Sequence, residues 1–260
     1  LVNELLSKSQ NKKEEIAKIA SGEATGTLVH DLNFNFQHEI FVKGSELHGT
    51  NSFVTLPDAD IHLVMARSDD SSYLVITKPT STLIRKPLGL RGMSFGSASY
   101  GEEIGNEQII FKEAENVLQN HFFENEDQIA AIALGMSEAA IEKAIEYSKE
   151  RKAFESYLYE FQPISAVLSD MKGRIEEMKK ALTLTESVQD KIFLKLNSLE
   201  IARLASRVAL QIHGGYGYLE DLGVERYYRD SMHLTMLASN YIKEIKILSK
   251  DIISPEAFKI

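Results

Sequence analysis

The feature that most constrains the fold is a change of pattern near residue 120. Before this point, short runs rich in Val, Ile, Phe and Thr are separated by Gly, Pro, Asp and Ser, as in antiparallel sheets. After it, apolar residues recur at intervals of three and four over long stretches, which is typical of amphipathic helices. The 260 residues therefore predict an α+β protein, with a small antiparallel β-domain followed by a C-terminal four-helix bundle.

The same patterns predict the positions of the elements. The predicted division is a short N-terminal helix in 1–21, a β-domain in 22–115 and a bundle in 116–260. The segments SDDSS and GSASYGEE are interpreted as turns because Gly and Ser are common there. Strands are predicted at 28–29, 33–42, 52–55, 61–66, 73–77 and 108–111, and long helices at 129–147, 163–182, 187–212 and 224–252.

Composition excludes several classes of function. The absence of Cys excludes disulfide scaffolds, thiolate metal sites and Cys nucleophiles, and no spacing of His suggests a metal site. A net charge of −9 argues against nucleic-acid binding. No apolar run approaches the roughly 18 residues of a membrane span, and the first residues lack the apolar core of a signal peptide. A cytoplasmic protein is therefore expected.

Four segments carry a more specific signal. They are QIHGGYGY at 211–218 with ERYYRD at 225–230, ERKAFESYLYEFQ at 150–162, the helix leading into it from residue 133, and LHGTNSFVTL at 47–56 with LGLRGMS at 88–94. Together they resemble the acyl-CoA dehydrogenase family of flavoproteins over most of the chain from about residue 24. The resemblance implies a helical domain, a β-domain and a four-helix bundle. Only the last two are matched, so we expect a truncated form.

The resemblance implies FAD as cofactor, held by residues from two segments of the bundle. Arg151 matches an Arg that reaches the FAD of a neighbouring subunit, and Phe154 and Gln162 match residues that help there. Gln211, Gly214 and Gly215 match a loop against the FAD diphosphate, where Gly allows close approach of backbone N–H groups. The alternatives are a solvated Arg at a helix end, a core Phe, and a Gly-Gly helix stop.

Two β-domain residues match the wall beside the flavin ring. Phe53 and Thr55 stand where the family has Trp and Thr, and Phe retains stacking but lacks the indole N–H. Ordinary strand core is the alternative for both. The family loop T-E-P-x-A-G-S-D, which wraps flavin and substrate, is not found in residues 26–34. His213, within the QIHGG motif, is expected to be a cation favoured by the helix dipole rather than a catalyst.

The usual catalytic base is missing. The family removes the α-proton of an acyl thioester with a Glu, while hydride leaves the β-carbon for the flavin. The position of that Glu, eight residues after Asp230, is Ala238. Other members place the base on the first bundle helix, just before an Arg, and the matching pair is Asn125–Glu126. Glu124 and Glu126 are candidates for a relocated base, with an acidic helix start as the alternative.

Three hypotheses follow from this pattern of matches and losses. The chain contributes to an FAD site within a homo- or hetero-oligomer, with a full-length acyl-CoA dehydrogenase as candidate partner and an acyl thioester as candidate substrate. Alternatively, it is a self-contained flavin oxidoreductase acting on an atypical substrate. In the third hypothesis it binds no flavin and is an inactive scaffold or interaction subunit.

Overall fold

A computed structural model describes residues 2–7, 12–30, 40–238 and 241–252. The chain divides into two compact units. The first unit is Leu1–Pro87 with Arg91–Asn120, and the second is Leu88–Leu90 with His121–Ile260. The three-part division expected from the sequence stays a prediction.

Two short helices, rather than the one expected, begin the chain: α1 (Val2–Ser7) and α2 (Lys13–Ser21). Helix α2 ends at Gly22, whose φ of 78° lies in the left-handed region and whose N–H donates to the Ile19 carbonyl. This is the usual glycine stop of a helix. A third helix, α3 (Ala114–Glu124), follows the strands and was not predicted.

The strands of the first unit form one mixed sheet rather than the antiparallel sheet that the sequence predicts. Its order is β6-β7-β3-β2-β4-β5-β8, and β1 pairs with β4. The pairings of β1 and of β2 with β4 are parallel and the others are antiparallel. The strands are β1 (Gly26–Val29), β2 (Ile40–Lys43), β3 (Glu46–Thr55), β4 (Ile61–Arg67), β5 (Ser72–Thr77), β6 (Ser81–Arg85), β7 (Phe95–Glu103) and β8 (Ile109–Lys112).

The interpretation of GSASYGEE as a turn is wrong, because this segment is most of β7. Alternate residues such as Ala98 and Tyr100 are buried in the core of the sheet, and that burial outweighs the turn preference of Gly and Ser. Gly96 is required by close packing, since a Cβ there would lie 1.9 Å from the Leu83 carbonyl oxygen of β6. Most of the strand predicted at 33–42 lies outside the described residues, and only its end is seen in β2.

The second unit contains the predicted bundle. Pro163 lies in the first turn of its second long helix, where Pro is tolerated. Ser187 caps the third by accepting a 3.1 Å hydrogen bond from the Asp190 N–H. The fourth helix, predicted at 224–252, is described over residues 225–238 and 241–252. The helices are α4 (Glu126–Glu150), α5 (Gln162–Leu184), α6 (Val188–His213), α7 (Glu225–Ala238) and α8 (Tyr241–Ile252).

The α+β fold class with a helical C-terminal region is confirmed. Ala140 and Ala144 of α4 are fully buried, as are Ala205 and Ala209 of α6, so these two helices share a core of small side chains. Among residues 2–7, 12–30, 40–238 and 241–252, no helix combines the length and apolarity that a membrane crossing needs.

Candidate functional site

A cavity of about 420 Å³ opens where α4 and α6 end in the second unit. This volume falls within the range of about 300–1,000 Å³ typical of small-molecule sites. Three residues predicted from the sequence, Arg151, Gly214 and Gly215, line it together. The other lining residues are Tyr147, Leu158, Ile212, His213, Tyr216 and Leu219.

Arg151 supplies the positive charge of this cavity. Its backbone ends α4 by donating to the Tyr147 carbonyl at 2.9 Å, and its own carbonyl accepts from the Leu158 N–H at 3.0 Å. The guanidinium lies 5.9 Å from the ring centroid of Tyr216. Within the described part of the chain, no carboxylate forms an ion pair with it. Its donors are therefore available to an anion.

His213 forms part of the cavity wall as a neutral ring. It stacks on Tyr147 with ring centroids 4.3 Å apart, and its Nδ1 donates to the Ala209 carbonyl at 2.8 Å. Burial lowers the pKa of His213. The expectation of a cation favoured by the helix dipole is therefore wrong, because desolvation disfavours the charged imidazole.

The glycines after α6 have different roles. Gly214 adopts a φ of 58°, which side chains rarely tolerate, and a Cβ at Gly214 or Gly215 would meet nothing within 4 Å. Their surfaces are therefore open to the cavity. A Cβ at Gly217 would lie 2.6 Å from the Leu210 carbonyl oxygen, so Gly217 is needed for packing.

Phe154 and Glu155 form a tight two-residue turn between the short strands β9 (Lys152–Ala153) and β10 (Ser156–Tyr157). Their φ values of 50° and 68° are both positive, as in a type I′ hairpin turn. Glu155 stands where the family pattern that ERKAFESYLYEFQ resembles, E-R-x-x-F-G-x-x-L-x-x-x-Q, has Gly. The side chain of Phe154 is 94% exposed at this tip.

The two predicted glutamines lie in the second unit but do not line the cavity. Gln162 begins α5 and is exposed. Gln211 is exposed in the last turn of α6, where its carbonyl accepts the Gly214 N–H. The backbone of Gln211 therefore helps to end the helix beside the cavity.

Phe53 and Thr55 belong to the first unit. The register of β3 against β7 shifts between Asn51 and Val54, and the Asn51 side-chain oxygen accepts the Phe53 N–H at 2.8 Å. This β-bulge leaves Phe53 38% exposed, with its ring 6.3 Å from that of Phe95. Thr55 is half-buried, and its carbonyl accepts a hydrogen bond from the Thr27 hydroxyl.

Two of the candidate base positions, Glu126 and Ala238, contact Lys195, a residue that sequence reasoning missed. Lys195 of α6 is fully buried and lies 2.8 Å from the Glu126 carboxylate. It also donates to the Ala238 carbonyl at 3.0 Å and to Glu244 at 2.7 Å. Lys195 lies on the buried stripe of α6 between Ile192 and Leu199. The sequence signal for this contact was a Lys on the apolar face of a predicted helix.

Neither carboxylate candidate has the setting of a free base. Glu126 is buried, and this burial raises its pKa to about 6 although Lys195 acts in the opposite direction. Glu124 is exposed at the end of α3, where its carbonyl accepts from Lys191. Ala238 packs against an apolar cluster of Ala133, Leu199, Ala202 and Leu234.

The ERYYRD motif contacts Leu88–Leu90, the start of LGLRGMS, within the second unit. The Leu90 N–H donates to Asp230 at 2.6 Å, and Arg229 donates to the Leu88 carbonyl at 3.0 Å. His233 completes the contact by donating from Nδ1 to the Gly89 carbonyl at 2.6 Å. Arg229, Asp230 and His233 of α7 therefore hold the backbone of Leu88–Leu90 in place. Across the described ranges, no group of three or more His, Asp or Glu residues is placed to bind a metal.

Comparisons with known proteins agree with this fold. Residues 117–238 match the family model of the acyl-CoA dehydrogenase C-terminal domain. The chain is 29% identical over 261 residues to cyclohexane-1-carbonyl-CoA dehydrogenase of Geobacter metallireducens, covering 91% of this chain and 65% of that protein. It is 34% identical over 116 residues to a subunit of the caffeyl-CoA reductase-Etf complex of Acetobacterium woodii, covering 42% of this chain and 31% of that one.

A solved structure shows the same fold. Glutaryl-CoA dehydrogenase of Mycobacterium smegmatis in complex with FADH2 gives a TM-score of 0.86 at 17% identity, covering all of this chain and 74% of that chain. The family model over residues 117–238, the curated relatives and the shared fold support the acyl-CoA dehydrogenase family. It spans less than two thirds of the length of the two curated relatives, 65% of one and 31% of the other.

Proposed function

We propose that the chain is an acyl-CoA dehydrogenase-like subunit that contributes part of an FAD site to an oligomer. The observation that carries this proposal is the convergence of Arg151, Gly214 and Gly215 on one cavity. The cavity combines a guanidinium with stacked rings and open glycine surfaces, which is a donor set that fits a flavin nucleotide. The neighbour solved with FADH2 supports the cofactor assignment.

Arg151 is the residue that would hold the FAD diphosphate. Both α4 and α6 end at this cavity, and helix C-termini carry a partial negative charge that disfavours an anion. The planar guanidinium offsets this and can bind phosphate oxygens with two parallel hydrogen bonds. Gly214 and Gly215 leave room for the diphosphate to approach the backbone. When bound, a flavin accepts hydride from the β-carbon of an acyl thioester.

The exposed residues around this cavity are proposed to complete the site with a partner. Phe154 is 94% exposed at the hairpin tip, and Gln162 is exposed at the start of α5. Phe53, exposed through its β-bulge, and Thr55 are the corresponding candidates in the first unit. The relative that is a subunit of an Etf complex supports assembly with other chains.

The chain itself is proposed to supply no base for the α-proton. A carboxylate is absent from position 238, and Glu126 is engaged with Lys195. A base that lies buried in an ion pair has no route to a substrate proton. Dehydrogenation of the acyl thioester is therefore assigned to the oligomer, with the base coming from a complete partner subunit.

The visible absorption spectrum tests this function. The chain is purified alone and together with a full-length family member from the same source, and bound flavin is measured after desalting. We expect little flavin on the chain alone, bound FAD in the mixed assembly, and bleaching by acyl-CoA only in the assembly. Flavin that is bound and bleached by the chain alone would show a self-contained oxidoreductase. If this chain adds no bound flavin to any assembly, the alternative of an inactive scaffold would be favoured.

A further inference from the structure

A second cavity of the bundle lies between α4 and α5 and has a volume of about 510 Å³. We call it the α4–α5 cavity. It lies within the second unit and shares no lining residue with the cavity that contains Arg151. Its volume falls within the range of about 300–1,000 Å³ typical of small-molecule sites. The proposed function makes no use of this cavity.

The wall of the α4–α5 cavity suits an apolar ligand. Ile145 of α4 and Leu168 of α5 line it. The hydroxyls of Ser148 and Ser165 also line it, but each donates to a carbonyl of its own helix, that of Ile145 at 2.7 Å and that of Gln162 at 3.1 Å. An apolar group that covers these hydroxyls therefore leaves neither of their donors without a partner.

The positive charge at one end of the cavity is already balanced. Lys172 lies 3.2 Å from Glu138 and 3.5 Å from Glu176. The helices α4 and α5 run antiparallel here, since Lys179 pairs with Glu138 whereas Lys172 also reaches Glu142 at 3.8 Å. This end of the cavity therefore has no uncompensated charge to offer to a ligand.

The opposite end has a positive charge that is not balanced. Lys149 lines the cavity there, is exposed, and belongs to the last turn of α4. Among residues 2–7, 12–30, 40–238 and 241–252, no carboxylate forms an ion pair with Lys149. A ligand anion at this end would therefore meet an available ammonium group.

We propose that the α4–α5 cavity binds a linear alkyl carboxylate, that is, a medium-chain fatty acid. The carboxylate pairs with Lys149, and the chain lies along Ile145 and Leu168 toward Gly173. The lining residues of α5 extend from 165 to 176, which corresponds to about 16 Å of helix and suits an extended chain. This inference does not depend on flavin binding and stands or falls separately from the proposed function.

Methyl NMR of the whole chain tests this site, with sodium decanoate as the probe. We expect saturable shifts of the Ile145 and Leu168 methyl signals. Decyltrimethylammonium has the same chain length and the opposite charge, and it should bind about tenfold more weakly. Lys149→Gln should weaken decanoate binding by about fivefold, as for the loss of a partly exposed ion pair.

Gly173→Leu tests whether the chain of the ligand lies in the cavity. A Cβ at Gly173 meets nothing within 4 Å, so the new side chain enters open space, and replacing Gly inside a helix favours folding. We expect decanoate binding to be lost. Gly135→Leu is the matched control, because Gly135 of α4 is equally open and does not line the cavity. Lys180→Gln, which removes an exposed Lys of α5 outside the cavity, is the control for Lys149→Gln.

Three results of these titrations would each overturn the proposal. They are the absence of a saturable shift at Ile145 and Leu168, equal decanoate binding by Gly173→Leu and Gly135→Leu, and equal binding by Lys149→Gln and Lys180→Gln. A fourth is a shift of the same methyl signals on dilution of the protein that decanoate does not alter, which would show that a second copy of the chain covers this face.

Discussion

Two single residues depart from what the family motifs place there, and the structure gives each a different physical consequence. Glu155 replaces a Gly at a backbone position with φ of 68°, next to Phe154 with φ of 50°. Ala238 stands where the family resemblance implies a carboxylate, and it packs against Leu199 and Leu234. The first substitution leaves local strain beside the candidate cavity, whereas the second adds apolar contact to the core.

Replacing Glu155 by Gly is expected to stabilise the chain. A side chain in the left-handed region costs roughly 1–2 kcal/mol, and part of the gain is offset by the greater freedom of Gly in the unfolded state. We therefore expect the free energy of unfolding in urea to rise by about 1 kcal/mol. Glu155→Ala retains the strain and should leave stability nearly unchanged. Equal effects of the two variants would show that the turn is unstrained.

Restoring the missing carboxylate with Ala238→Glu is expected to destabilise the bundle rather than create a dehydrogenase. The new side chain would enter the apolar cluster that contains Leu199 and Leu234. We expect a loss of about 2 kcal/mol at neutral pH, which shrinks on acidification as the carboxylate takes up a proton. Ala238→Gln is the uncharged control, and its cost should not vary with pH. A stable variant that bleaches flavin with acyl-CoA would contradict this expectation.

Among the secondary-structure elements, α7 holds a backbone segment of the second unit. Arg229, Asp230 and His233 bind three consecutive backbone groups of Leu88–Leu90. A Cβ at Gly89 would lie 2.2 Å from the Arg229 carbonyl oxygen and 2.7 Å from the Asp230 nitrogen. The segment can therefore lie against the helix only because residue 89 is Gly.

Gly89→Ala is expected to weaken this contact. The clash involves backbone on α7, which cannot move aside as a flexible side chain would, so overpacking should cost about 2 kcal/mol. Gly92→Ala is the matched control nearby, since a Cβ there meets nothing within 4 Å. The urea midpoints of the two variants give the comparison. Similar midpoints would mean that Leu88–Leu90 can shift away from α7 at little cost.

An element could be predicted from the sequence when local patterns determine it, and not when long-range pairing does. The helices α4, α5 and α6 were predicted because long apolar periodicity, Pro163 and Gly214 mark them in the sequence. Strand β7 was missed because its Gly and Ser suggest turns, and only pairing with β3 and β6 buries its alternate residues. Such pairing is a long-range property that local composition does not carry.

The candidate site was predictable to a similar extent. Motif spacing indicated Arg151, Gly214 and Gly215, which do share a cavity. It gave the wrong charge for His213, because burial depends on the stack with Tyr147. The partnership of Lys195 with Glu126 and Glu244 was also missed, since these residues are far apart in the sequence.

At the scale of the whole molecule, the proposed function is that of a subunit that brings part of an FAD site to an oligomer. The chain has a cavity with an available guanidinium, exposed aromatic side chains around it, and no free carboxylate at position 238. Under the proposed function, a partner chain supplies the remaining parts of the flavin site. A flavin site shared between two subunits predicts that the FAD affinity of the assembly depends on Arg151.

The most direct measurement is an FAD titration of the mixed assembly with Arg151→Ala, Arg151→Lys or the control Arg203→Ala. Arg203 is exposed and pairs with Glu200 on α6, so its loss should leave FAD affinity unchanged. We expect Arg151→Ala to weaken FAD binding by about tenfold to a hundredfold, as for a lost charge-assisted hydrogen bond. The FAD affinity of the Arg151→Lys assembly should lie between those of the wild type and Arg151→Ala. Equal FAD affinity in the Arg151→Ala and Arg203→Ala assemblies would contradict the account.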